Sequence, residues 1–159
     1  EFGISPYLLL AVMRQESAYN DGANSQASAR GLMQIIPITG RRIAAELHQA
    51  DYTDAMLREP STSVRFGAWY LAQLVDKFSG HLPLAIGSYN AGPQAVEAWL
   101  RAHPGEATDV FIEDIAFKET RNYVKQVLAN VAMYALLYRN EVIQVPAVVP
   151  TQAKSNVNF

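Results

Sequence analysis

The 159 residues are half hydrophobic and carry a formal charge of −2, with a pI near 5.9. That is enough apolar chain for one domain with its own core, and it lacks the cationic footprint of nucleic-acid and anionic-membrane binders. The absence of cysteine excludes a disulfide framework, a thiolate nucleophile and a cysteine metal site, while His48, His81 and His103 stand apart from one another and from acidic clusters. No stretch approaches the roughly 18 apolar residues of a membrane span. The start has neither the charged n-region nor the cleavage site of a signal peptide, so it reads as a mature chain or a fragment of one.

Helix signals run through most of the chain, with no sustained strand alternation and no internal repeat. Ser5-Pro6 pairs a capping side chain with proline at the first helical position and predicts a helix to about Ser17. Asn20 to Arg30 is small and polar and reads as a loop; Gly31 to Ile36 suits a short helix before Pro37. Thr39 to Leu47 is expected to be helical, followed by a short helix at Ala55 to Arg58. From Thr62 onward Val64, Ala68, Leu71, Val75 and Phe78 recur at three- and four-residue spacing until Gly80, the clearest amphipathic pattern here. Pro83 opens the next helix, Gly92-Pro93 interrupts it, and Val96 to Leu100 continues to the breaker His103-Pro104-Gly105. A last long helix, about Glu119 to Tyr138, sets Tyr123, Val127, Val131 and Tyr134 on one side. Residues 143–159 contain prolines and no period, and are expected to form an extended tail after a domain covering residues 1–142.

Glu16 breaks the pattern of the first helix. Its neighbours along the helix face are Met13, Val12 and Leu9, so the carboxylate continues an apolar stripe. An inward carboxyl with poor hydration has its charged form disfavoured and can hold a proton near neutral pH, as a general acid must. Periodicity alone leaves the alternative open: a solvated glutamate at a helix end.

Four separated stretches bear on that choice: Glu16-Ser17, GLMQIIP at Gly31 to Pro37, SYNAGP at Ser88 to Pro93 and ETRNYV at Glu119 to Val124. In order and spacing they resemble the catalytic domain of the soluble lytic murein transglycosylases, and the likeness runs from about Ile4 to Tyr138. One such tetrapeptide carries little weight; four in register are specific, and they separate this group from goose-type lysozymes. The resemblance implies a mostly α, lysozyme-like helical domain, related to the goose type. Its substrate cleft would lie between the helix carrying Glu16 and those carrying SYNAG and ETRNYV.

The same resemblance implies the site. Glu16 would be the single catalytic acid. Ser25 would lie near the acetamido group of the reacting sugar, Met33 and Gln34 would line the cleft, Tyr89 and Asn90 would contact the sugar, and Glu119 and Tyr123 would hold the cleft floor. Read without it, Met33 is core filling, Tyr89 and Asn90 are a packed ring and a cap, and Glu119 and Arg121 are first-turn charges. Two departures stand out: Ser63 replaces a common asparagine, with an expected effect on a helix cap, and Ala116 replaces a frequent proline ahead of ETRNYV.

Ordinary glycosidases need two carboxylates. The motifs supply one at the centre, and the resemblance implies a route in which that residue is acid and then base, closing the muramic acid onto itself as a 1,6-anhydro end without water. A hydrolytic muramidase and a non-catalytic glycan-binding module remain alternatives, separated by product identity. No cofactor or metal is indicated, since no DxDxDG calcium loop is present. The implied partner is the peptidoglycan glycan strand, not nucleic acid, with an additional N-terminal domain or an envelope assembly beyond this chain. The implied location is the bacterial envelope, in the periplasm.

Overall fold

Five of the α-helices begin at a proline or one residue before it. A computed structural model describes residues 1–25, 28–157 and 159; Gln26 and Ala27 of the expected loop and Asn158 of the tail lie outside them. Among the described residues there are seven α-helices and one short 3₁₀ helix, with isolated bridges in place of strands. In chain order they are α1 (Pro6–Ser17), α2 (Pro37–Glu46), the 3₁₀ helix (Asp54–Arg58), α3 (Pro60–Lys77), α4 (Leu82–Ala91), α5 (Pro93–Ala102), α6 (Thr108–Asp114) and α7 (Lys118–Arg139). The chain divides into two compact units, Glu1–Tyr70 and Leu71–Phe159, with the division inside α3.

In the first unit the Ser5 hydroxyl accepts from the Tyr7 amide and opens α1. That helix buries Leu8, Ala11, Val12 and Met13. Met33 and Ile35 from the following loop, Ile43 and Ala44 from α2, Leu57 from the 3₁₀ helix and Phe66 from α3 complete this core. The expected short helix at Gly31 to Ile36 does not form. The segment is a series of turns, because Gly31 (φ 72°) and Gln34 (φ 47°) both occupy the left-handed region, which no α-helix can include.

In the second unit α4 is buried from Pro83 to Ser88 without an exposed face, which is why its sequence is apolar all round. It packs on α5 and on α7, which buries Tyr123, Val127 and Val131 as the spacing predicts, together with Val124 and Ala135. Helix α6 was not anticipated from sequence. It buries Phe111, packs on α7, and begins where the tail crosses it: the Thr108 amide donates to Ala147 O at 2.9 Å, and the Val149 amide to Glu106 O at 2.9 Å. Val149 and Val157 are buried, and Lys154 exchanges a backbone hydrogen bond with the end of α3, its amide donating to Lys77 O at 2.8 Å. Lys77 is itself 1% exposed; its ammonium pairs with Glu97 at 2.6 Å and donates to Lys154 O at 2.9 Å.

His81 sits beside the same crossing, 2% exposed. The Thr108 hydroxyl spends its one hydrogen on Pro146 O at 2.7 Å, so His81 Nε2, 3.1 Å from that oxygen, is the donor between them. Nδ1 is then a buried acceptor without a hydrogen-bond partner, and burial pushes the imidazole pKa down from 6.5 to about 4. The unfolded chain therefore takes up a proton before the folded one does, and stability falls as the pH drops from 6.5 toward about 4, levelling off below. His81 contributes on the order of 3 kcal/mol to that slope. Urea unfolding across this window should show the native protein losing more stability than His81→Gln, which keeps a donor for Thr108; parallel slopes would contradict the assignment.

Candidate active site

The first cluster is built at the C-terminal end of α1. Glu16 is its penultimate residue and is half-buried. Next to it the Ser17 hydroxyl lies 2.8 Å from Leu32 O and 3.2 Å from Met13 O, tying the helix end to the GLMQ segment. Tyr19, just past the helix, folds back on α1, its hydroxyl donating to Leu10 O at 3.3 Å.

The loop between is held by its own backbone. The Gly31 amide donates to Ala23 O at 3.1 Å, while Arg30 and Ile35 exchange amide and carbonyl. Ser25 is exposed; its amide donates to Ala29 O, and its hydroxyl accepts from the Ala29 amide, each at 3.1 Å. Gln34 is half-buried, and its Nε2 donates to Ala23 O at 3.0 Å and to Gly31 O at 2.8 Å. Both amide hydrogens are thereby used, and Oε1 is the acceptor it has to offer.

Met33 differs from the lining role expected of it. It is fully buried, with its side chain against the bare Cα of Gly67, and it fills the core beneath the turn. The Met33 amide donates to Ser63 Oγ at 3.1 Å. Ser63, read from sequence as a helix-cap change, thus fastens the GLMQ turn instead.

The second cluster joins α4 to α7. Tyr89 and Asn90 are half-buried in the last turn of α4, which Gly92 ends at φ 84°. Thr120, 2% exposed in the first turn of α7, donates its hydroxyl to Asn90 Oδ1 at 2.6 Å. Glu119 is exposed beside it, and Tyr123 lies one turn on, 6% exposed. Arg121 reaches back to Glu113 O (3.0 Å) and Ile115 O (3.2 Å), capping the end of α6 across the loop that carries Ala116. Sequence reading assigned no role to Thr120; its only signal was its place in ETRNYV.

Three further groups lie outside both clusters. A hollow of about 590 Å³ is lined by Phe2, Ile4, Leu9 and Val64 among others, and one of about 570 Å³ by His48, Gln49, Asp51 and Arg65 among others. Neither includes an expected site residue. His103 does not stand apart from acidic groups, because the turn into α6 folds it against them: Nδ1 is 3.4 Å from Glu106 Oε1, and Asp114 completes a group whose ligating atoms lie within 4.8 Å.

With these local arrangements in hand, comparison with known proteins places the chain. A family model described as the transglycosylase SLT domain matches residues 1–112, and one described as the soluble lytic transglycosylase helical domain matches residues 114–142. The chain belongs to the transglycosylase SLT family. Among its SLT relatives, the soluble lytic murein transglycosylase of Salmonella typhimurium is 41% identical over 133 residues, taking in 82% of this chain and 21% of that protein. The Escherichia coli K12 protein of that name is 39% identical over 127 residues, covering 79% of this chain and 20% of its own length. The SLT chain therefore spans about a fifth of the curated relatives it matches.

Solved SLT structures agree in fold. The 70-kDa soluble lytic transglycosylase of Escherichia coli superposes with a TM-score of 0.82 at 36% identity, covering 86% of this chain and 22% of that one. The lytic transglycosylase Slt of Pseudomonas aeruginosa, solved as an inactive variant with one glutamate changed to glutamine, gives 0.82 at 32% identity, covering 98% and 25%. The mostly helical, lysozyme-like class expected from the sequence is borne out.

The GLMQ turn should be the least tolerant part of the first cluster. A methyl group on Gly31 would overlap the Leu57 carbonyl oxygen and would sit at a positive φ. Gly31→Ala is expected to cost on the order of 3 kcal/mol or more. Ser17→Ala, which removes the hydroxyl that bonds Leu32 O and Met13 O, should cost about 1 kcal/mol. Urea unfolding of both variants checks the order; equal costs would contradict it.

Proposed function

We propose that this chain is the catalytic part of a lytic transglycosylase that cleaves the β-1,4 bond between N-acetylmuramic acid and N-acetylglucosamine in peptidoglycan, with Glu16 as acid and then base. The observation that carries the reading is the SLT match over residues 1–112, which includes Glu16, half-buried at the end of α1 beside the GLMQ turn. The names of the relatives support the substrate class, and the inactive Pseudomonas aeruginosa variant shows that one family member depends on a single glutamate. Residues 1–142 would form the catalytic domain and residues 143–159 its tail; the helical-domain match also stops at residue 142.

In this reading the Glu16 carboxyl protonates the glycosidic oxygen, and the bond from that oxygen to C1 of muramic acid breaks. The sugar's acetamido group steadies the positive charge at C1. Glu16, now a carboxylate, takes the proton of the C6 hydroxyl as that oxygen bonds to C1, so no water is consumed and Glu16 regains its starting state. One residue passes through both protonation states, which a half-buried position tolerates better than a fully buried one. Ser25, Gln34, Tyr89 and Asn90 orient the sugar through hydrogen bonds, Glu119 and Tyr123 help bind it, and Met33 acts from beneath by holding the GLMQ turn.

A peptidoglycan substrate would put the enzyme in the bacterial envelope, on the periplasmic side. Soluble relatives of which the match takes in only about a fifth, and other relatives named membrane-bound, fit a chain that works with further domains or an anchor. No helix among the described residues is long and apolar enough to cross a membrane.

Mass spectrometry of fragments released from purified murein sacculi tests the reading. The native protein should release fragments one water lighter than hydrolytic products, and Glu16→Gln should slow release by about 10²–10⁴-fold while remaining folded. Hydrated reducing ends would make the enzyme a muramidase. Binding without release by the native protein would make it a glycan-binding module.

A further inference from the structure

We propose that Thr120 is a positioning residue that fixes which end of the Asn90 amide faces the glycan, so that Asn90 presents its Nδ2 hydrogens to a neutral oxygen of the sugar. This rests on the reading of Asn90 as a sugar-binding residue. A primary amide carries an acceptor on one side and two donors on the other, and turning it over inverts what it recognises. The Thr120 hydroxyl is buried, with 2% exposure, and its single hydrogen goes to Asn90 Oδ1 at 2.6 Å. That engages the carbonyl side. Turning the amide over would force the hydroxyl hydrogen to seek another acceptor away from water.

Asn90 is only half-buried, so the group left over can meet a ligand. The residue stands in the last turn of α4, which Gly92 ends just before α5 begins at Pro93. The group on offer is a neutral pair of N–H donors. It suits the carbonyl of an N-acetyl group or a sugar hydroxyl oxygen, and it has nothing to give a ligand N–H. Thr120 touches no substrate in this arrangement; it acts through Asn90.

The test has a readout in the free protein and one with ligand. In ¹⁵N relaxation of the free protein, the Asn90 side-chain amide should be rigid in the native chain and in Thr120→Ser, and should gain motion in Thr120→Val. Equal rigidity in Thr120→Val would overturn the proposal whether or not a glycan binds. With the N-acetylglucosamine hexamer as probe, Thr120→Val should bind about 3- to 10-fold more weakly, Thr120→Ser within about twofold of native. Asn90→Asp keeps an acceptor for Thr120 but loses the donors, and should weaken binding at least as much as Thr120→Val.

On sacculi, Thr120→Val should raise the apparent KM more than it lowers kcat. If Asn90→Asp binds as tightly as the native protein, the donors are not used and the proposal fails. A native protein that cleaves sacculi while Thr120→Val matches it in every readout would sink this proposal and leave the transglycosylase reading intact. Inert native protein whose Asn90 amide loosens in Thr120→Val would do the reverse. Repeating the titration with the de-N-acetylated hexamer separates the two oxygens: a lost Thr120→Val effect assigns the N-acetyl carbonyl, a retained one the hydroxyl.

Discussion

The geometry around Glu16 depends on the close approach of two stretches of backbone, one through Gly31 and the other through Leu57. Because Gly31 has no side chain, the Leu57 carbonyl can lie against its Cα, and the chain can take the positive φ that begins the GLMQ turn. Gln34 then takes a second positive φ, and its side chain folds back onto Ala23 and Gly31. The result is a turn without regular structure in which the Met33 amide and both Gln34 Nε2 hydrogens are bonded. Ser17 couples it to α1 and Ser63 to α3. The acid-then-base role proposed for Glu16 calls for such rigidity around it, which backbone and short hydroxyl side chains supply with little conformational freedom to lose.

The second unit solves a different problem. Its central helix, α4, is surrounded, so its one interruption has to fall where the chain can leave the core, at Gly92-Pro93. SYNAG is the last turn before that exit. Its polar residues therefore stand at the boundary between a packed interior and the surface, and the partner for Asn90 comes from the neighbouring helix in place of water. Polar groups at such a boundary are costly when unmatched and well defined when matched.

Local rules explain which parts were legible in the sequence. Ser5-Pro6, the Thr62 to Phe78 spacing and the Tyr123, Val127, Val131 series each act within a few residues, and α1, α3 and α7 follow from them. Helix α6 was not legible because its first amide is satisfied by Ala147, far along the chain. The turn at Gly31 to Ile36 was misjudged because its apolar residues have helical spacing, while the deciding feature is a carbonyl contributed from Leu57. For the candidate site, the motifs single out Glu16, Gln34 and Asn90 for the roles proposed, whereas the burial of Met33 and the Thr120 bond to Asn90 belong to packing that spacing does not encode.

The buried ammonium of Lys77 links stability to the order in which the chain is made. Its two partners arrive at different times: Glu97 is made twenty residues later, and the Lys154 carbonyl only near the end of this sequence. Until residue 154 has left the ribosome, that charge lacks one of its acceptors. The second unit therefore cannot reach its final stability before residue 154 is free to fold back. A single carbonyl thus ties the end of α3 to a residue 77 positions further along the chain.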